Sequence, residues 1–249
     1  MEQQKDYLTN SVENKNVLIT GGTTVIGRAT EILLAKNAAN VIIVGRTESH
    51  MHDALRDIEK TARGKSYGVI ADVGNEDGIN KIFEEVDDKF GKLDILINNA
   101  SLPFGSIYYG DYKDLDYLLK TNLLAYLACS AEAIKRMNSK GHIVNIGSMS
   151  ADVRENASSV YVAAKSGIQG FSESIRKEFN PQGIKVSLIE PGAVDTDMQG
   201  ESTEKKKENV ENLEMLTADD IANSVLYCIS QPERCDVVVL KIRPHRQFI

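Results

Sequence analysis

The sequence predicts one α/β domain, a doubly wound parallel sheet of about seven strands with helices on both faces. Three observations carry this. Short β-branched or aliphatic runs alternate with helix-length amphipathic segments along nearly the whole chain, the pattern of a parallel sheet built from βαβ units. The strand runs are apolar at consecutive positions, as in strands covered on both faces. Small or Gly-rich turns follow the strands, where open α/β sheets bind their ligands.

Residues 1–13 read as a loose arm. The predicted strands are Val17–Thr20, Val41–Val44, Tyr67–Ala71, Leu93–Ile97, His142–Ile146, Lys185–Ile189 and Val237–Ile242. Between them lie helical stretches at 26–38, 50–62, 76–90, 112–137, 159–179 and 218–230. No repeat or linker interrupts the alternation. A length of 249 residues, 42% hydrophobic and 26% charged, suits a single sizeable domain.

Composition also narrows the function. A net charge of −7 disfavours nucleic acid as the main partner. No apolar run approaches the ~20 residues of a membrane span, and the polar start lacks the apolar segment of a signal peptide. Cys129, Cys228 and Cys235 are scattered and form no C-x-x-C, so they read as reduced thiols of a cytoplasmic protein. Four histidines with no H-x-x-x-H pair give no metal site.

The chemical candidates all follow strands. The first turn, Thr20-Gly21-Gly22-Thr23-Thr24-Val25-Ile26-Gly27-Arg28, suits a pyrophosphate at a helix start, with Gly21, Thr23, Ile26 and Gly27 as contacts. The alternative is an ordinary strand-to-helix turn. After the second strand come Gly45, Arg46 and Thr47, where NAD-preferring folds tend to place an acid. Arg46 can fork onto a ribose 2′-phosphate, so the charge favours NADP(H) over NAD(H); otherwise it is a solvated surface Arg. Asp72-Val73 follow the third strand, where the carboxylate can accept from an adenine amino group. Asn99, Ala100 and Ser101 follow the fourth and leave room for a ribose. Asn122 interrupts an apolar helical stretch, and a buried amide needs partners: it is a structural hydrogen-bonder or part of a proton path. Ser148 ends the fifth strand. Thirteen residues on, Tyr161 and Lys165 stand four apart on one helix face. A hydroxyl, a phenol and an ammonium at one spot are what proton transfer at a substrate oxygen requires. Pro191, Gly192, Val194 and Thr196 follow the sixth strand and can wrap a cofactor's reactive end.

This ordered set, from Thr20-Gly21 to Gly27, then Asp72-Val73, Asn98-Asn99-Ala100, Asn122, Ser148, Tyr161-x-x-x-Lys165 and Pro191-Gly192 with Thr196, resembles the short-chain dehydrogenase/reductase family in its single-domain form of ~250 residues. The resemblance runs from Lys15 to the last strand and is nearest to the NADPH-dependent 3-oxoacyl and carbonyl reductases. It implies a Rossmann-like fold and hydride transfer between NADP(H) and a ketone, aldehyde or secondary alcohol. It implies Tyr161 as general acid/base, Lys165 holding the nicotinamide ribose and lowering the tyrosine's pKa, Ser148 bonding the substrate carbonyl, and Asn122 anchoring a water linked to Lys165. It implies a homo-oligomer, dimer or tetramer, through the helices at 112–137 and 159–179.

Two positions depart from the family pattern. Val25 replaces the middle glycine of the turn, and a helix start with ordinary negative φ is expected to fit it, at some loss of cofactor affinity. Ser101 replaces a glycine and is small enough to be tolerated. Phe104, Tyr108, Tyr109 and a lid at 196–216 are expected near the substrate; Arg154 either binds an anionic substrate tail or is a solvated loop Arg, and Lys205-Lys206-Lys207 is expected to be a solvated helical face. The rival reading is a non-catalytic nucleotide-binding or scaffold protein of the same fold, weakened at Val25.

Overall fold

Strands come first because the site hangs from their ends. The computed structural model describes residues 11–196 and 202–247; the first ten residues of the predicted arm and the predicted lid residues 197–201 lie outside them, while Val12, expected in the loose arm, is buried in the core. The strands are β1 (Asn16–Thr20), β2 (Asn40–Gly45), β3 (Ser66–Ile70), β4 (Ile95–Asn98), β5 (Gly141–Ile146), β6 (Ile184–Pro191) and β7 (Val239–Ile242). They form one parallel sheet in the order β3-β2-β1-β4-β5-β6-β7. The order reverses between β2 and β4, so β1 pairs with both: Val17 lies opposite Val41 on one side and Ile95 on the other.

Alternate side chains go to opposite faces. Val17, Ile19, Val41 and Ile43 pack under α1 (Val25–Lys36), α2 (Glu48–Glu59) and α9 (Ala218–Ile229). Leu18, Ile42 and Val44 pack under α3 (Glu76–Lys89), α5 (Ala125–Arg136) and the far end of α7 (Ser159–Phe179). That two-sided burial is why the strands read as unbroken apolar runs.

Local chemistry sets several helix starts. Asn75 accepts the Gly78 N–H (2.8 Å) at the head of α3, with Glu76 and Asp77 in its first turn. Asp111 with Asp114, and Thr217 with Asp220, form capping boxes on α4 (Tyr112–Leu119) and α9. The stretch expected to be one helix over 112–137 is instead α4, a π-helical turn at Lys120–Leu124, and α5. Asn122 is the reason: fully buried, it exchanges both side-chain hydrogen bonds with the Leu102 backbone (2.7 and 2.8 Å). The wider turn accommodates that clamp, and π turns of this kind favour functional sites.

The segment after β6 corrects another expectation. Lys206, on α8 (Thr203–Glu211), is buried, pairs with Asp195 (3.1 Å) and donates to the Thr196 carbonyl (3.2 Å). It is a tie between α8 and the loop after β6, not part of a solvated face. No helix among the described residues is long and apolar enough to cross a membrane.

Candidate active site

The carboxyl ends of the strands open on a crevice of about 750 Å³, walled by the loops after β1 to β6. Gly21, Thr23, Ile26, Arg46, Thr47, Asp72, Val73, Asn99, Ala100, Ser101, Ser148, Tyr161, Lys165, Pro191, Gly192, Val194 and Thr196 all line it. Two predicted residues are absent from its wall. Gly27 is a packing glycine, since a Cβ there would stand 2.0 Å from the Gly21 carbonyl oxygen. Asn122 works from behind, through Leu102.

The floor near β1 is rigid. Thr20 Oγ1 accepts the N–H groups of Asn99 (3.0 Å) and Ala100 (3.2 Å), and Asn99 Nδ2 donates to the Thr20 and Gly21 carbonyls (3.1 and 2.9 Å). Gly21 has φ +64°, and a Cβ on it would lie 2.8 Å from Ala100 Cα, so only glycine lets these two loops meet. Val25 contradicts its expected conformation: its φ is +40°. A β-branched residue is strained there, because the turn keeps the backbone a glycine would adopt.

At the far end, Arg46 hydrogen-bonds the Tyr117 hydroxyl, which donates to Asp72 Oδ2 (2.9 Å). Asp72 Oδ1 also accepts the Gly74 N–H (2.8 Å). Tyr117 was not foreseen. Gly45 leaves no place for a side chain beside it, because a Cβ would fall 2.4 Å from Thr23 Cγ2.

Ser148, Tyr161 and Lys165 meet on the crevice wall beyond the end of β5. Lys165 is 2% exposed and its Nζ donates to the Ile146 carbonyl (3.0 Å), which also accepts the Tyr126 hydroxyl (3.1 Å). The same ammonium lies 5.6 Å from the Tyr161 ring centroid and 5.4 Å from that of Tyr126. Burial pushes the Lys165 ammonium down to about 7. Burial also raises the Tyr161 phenol, with Glu155 adding to it, while the hydroxyls of Ser148 and Ser101 oppose the rise. Desolvation is the largest influence on the phenol in this arrangement, and it works against the lowering that the resemblance implies. Ser148 Oγ accepts the Ser150 N–H (3.1 Å) and lines the crevice. Arg154 is exposed, bonds the Ala151 carbonyl (3.4 Å) and is not on the crevice wall. Phe104 reaches the crevice, whereas Tyr108 and Tyr109 are more than four-fifths exposed outside it.

Several wall residues escaped sequence reasoning. Thr121, beside Asn122, is buried with an unpartnered Oγ1. Gln247 enters from the last turn and accepts the Ala193 N–H (3.1 Å). His50 and Glu155 also line the crevice. Only Thr121, next to a buried amide, carried a readable signal.

A dinucleotide suits these residues. α1 starts with no side-chain cap and no acid in its first turn, which leaves N–H groups and a positive dipole end for a pyrophosphate. Thr121 Oγ1 and Ser101 Oγ are buried, unpartnered and on the crevice wall. Among the described residues no group of His, Cys, Asp and Glu could hold a metal.

A doubly wound sheet with a nucleotide-sized crevice and a Ser–Tyr–Lys cluster at its carboxyl edge defines an oxidoreductase of the nicotinamide-dependent class. The family model described as short chain dehydrogenase matches residues 15–207, and the chain belongs to that family. An oxidoreductase of Staphylococcus saprophyticus is 28% identical over 236 residues, covering 94% of this chain and 98% of the relative. A 3beta-hydroxysteroid dehydrogenase of Mediterraneibacter gnavus is 32% identical over 200 residues, covering 79% and 72% respectively. The solved short-chain dehydrogenase/reductase of Serratia marcescens superposes with a TM-score of 0.84 at 26% identity, over 94% of this chain and 98% of that one.

Proposed function

We propose that this chain is an NADP(H)-dependent carbonyl reductase, reversible as an alcohol dehydrogenase, with Tyr161 as its general acid/base. The observation that carries this is the meeting of Ser148, Tyr161 and Lys165 on one wall of the crevice. A nicotinamide cofactor, when bound, supplies or takes the hydride. The protein's part is position and the proton. Ser148 donates its hydroxyl hydrogen to the carbonyl oxygen and Tyr161 delivers a proton to the same atom. A phenol held protonated by burial is ready to give that proton in the direction of reduction. Lys165, poised near neutrality, can then restore it. Asn122 holds the 101–103 strap against this centre by clamping Leu102.

NADP(H) over NAD(H) is supported by Arg46 at the end of β2, where Thr23 crowds out any side chain at position 45. Leu102, Phe104 and Met149 give the substrate end apolar walls, suited to an apolar ketone or aldehyde. Leu119 and Leu124, 40% and 53% exposed on the α4–α5 segment, support a homo-oligomer, dimer or tetramer. The acidic charge and lone thiols suit a cytoplasmic enzyme. The strain at Val25 favours one other reading, a protein of this fold that has lost tight cofactor binding.

NADPH and NADH fluorescence titrations, followed by a panel of ketones and aldehydes with NADPH oxidation as readout, decide between them. Saturable NADPH binding tighter than NADH, with turnover of at least one carbonyl, is the expected result. Absence of binding by either nucleotide overturns the enzyme reading.

A further inference from the structure

The Tyr117 hydroxyl ties together two residues of the crevice wall. It donates to Asp72 Oδ2 (2.9 Å) and accepts from Arg46 Nη1. Asp72 is itself fixed, because its other oxygen accepts the Gly74 N–H (2.8 Å). The ring is fixed as well. It rests on Gly74, where a Cβ would stand 3.0 Å from Tyr117 Cε2, and it is carried by α4, whose first turn is held by a capping box. The Arg46 guanidinium carbon lies 5.8 Å from the centroid of the same ring, within reach of a cation–π attraction. Arg46 is exposed on the loop after β2. An exposed arginine gives up much rotamer freedom when it grips a ligand. Here the hydroxyl and the ring already restrict that freedom, from a base anchored at the end of β3.

We propose that Tyr117 is a positioning residue for the cofactor's adenosine end, one that holds Arg46 in place for a ribose 2′-phosphate and so widens the preference for NADP(H) over NAD(H). The proposal rests on the reading of Arg46 as the 2′-phosphate contact. The tyrosine engages Nη1 of a guanidinium that carries five donors, so Arg46 can hold the tyrosine and a phosphate together. The hydroxyl also stands between a cation and a carboxylate. Without it Arg46 is free to pair with Asp72 directly. Such a pair withdraws positive charge from a phosphate and a carboxylate from an adenine amino group. The first loss falls on NADP(H) alone, and the second falls on both nucleotides. The ratio of the two affinities therefore isolates what Tyr117 does through Arg46.

NADPH and NADH fluorescence titrations of the full chain test this without turnover. Tyr117→Phe keeps the ring on Gly74 and removes the hydroxyl. It is expected to weaken NADPH by about 2–10-fold relative to NADH, the cost of ordering one arginine that is no longer held. In an Arg46→Ala background the same substitution should leave the NADPH-to-NADH ratio where Arg46→Ala alone puts it. An unchanged ratio in Tyr117→Phe overturns the proposal. So does an equal fall with Arg46 absent, which makes the hydroxyl's effect independent of the arginine. The two readings fail separately. Weakened NADPH in Arg46→Ala with an unmoved ratio in Tyr117→Phe removes Tyr117 and leaves the 2′-phosphate contact standing. NADPH bound by Arg46→Ala as tightly as by the wild type refutes that contact, and Tyr117 falls with it.

Discussion

Glu31 carries the most quantifiable consequence of this fold. It lies on the sheet-facing stripe of α1 with Gly27, Thr30, Leu34 and Ala35, is fully buried, and neither carboxyl oxygen has a hydrogen-bond partner. Burial raises it from 4.5 to about 9; Arg28 opposes and Asp57 adds. Arg28 is itself engaged by Asp57, so it cannot neutralise Glu31. The folded protein therefore holds a proton that the unfolded chain releases above about pH 4.5. The resulting stability is complete below that pH and drains away as pH rises towards 9, at about 1.4 kcal/mol per unit. By pH 7 the loss reaches at most about 3.5 kcal/mol, or roughly 7–14 °C in melting temperature for a chain this long. Urea unfolding of wild type and Glu31→Gln across this range reads it. Gln adds a fixed cost for its own unpaired amide, so the informative quantity is the difference between the curves, which should change in favour of Gln as pH rises. Parallel curves would refute the buried neutral acid. The same group lies beneath the first turn, with Oε2 3.4 Å from where a Cβ on Gly22 would stand. Charge there opposes a bound pyrophosphate, so NADPH affinity should also fall with pH in the wild type more than in Glu31→Gln.

Val25→Gly should relieve about 1–2 kcal/mol of backbone strain, largely offset by the ~1 kcal/mol entropy cost of glycine, leaving melting nearly unchanged. NADPH should bind more tightly by fluorescence titration, and looser binding would mean that the Val25 side chain supports the cofactor. Arg46→Asp should weaken NADPH by about 10–100-fold and spare or improve NADH; an unchanged NADPH preference would take the 2′-phosphate away from Arg46.

Most of the architecture was legible in the sequence because each strand is buried on both faces and each turn carries its own chemistry. The strand spans agree to within two residues. What escaped depended on contacts distant in the chain. The π turn at Lys120–Leu124 exists because Asn122 meets Leu102, twenty residues away. Gln247 reaches the crevice only because β7 brings the last turn back beside Gly192. Lys206 reads as one of three solvated lysines until Asp195 is folded beneath it. Val25 was recognised as a departure, but its positive φ belongs to the turn's geometry and not to valine's preference. Glu31 had a signal that went unread, since its spacing from Gly27 and Leu34 places it on the buried stripe.

The central claim is tested most directly by NADPH-dependent carbonyl reduction in Tyr161→Phe. Removing the phenol hydroxyl should cut turnover by about 10²–10⁴-fold while NADPH binds as in the wild type. Turnover within a few-fold of the wild type would contradict it.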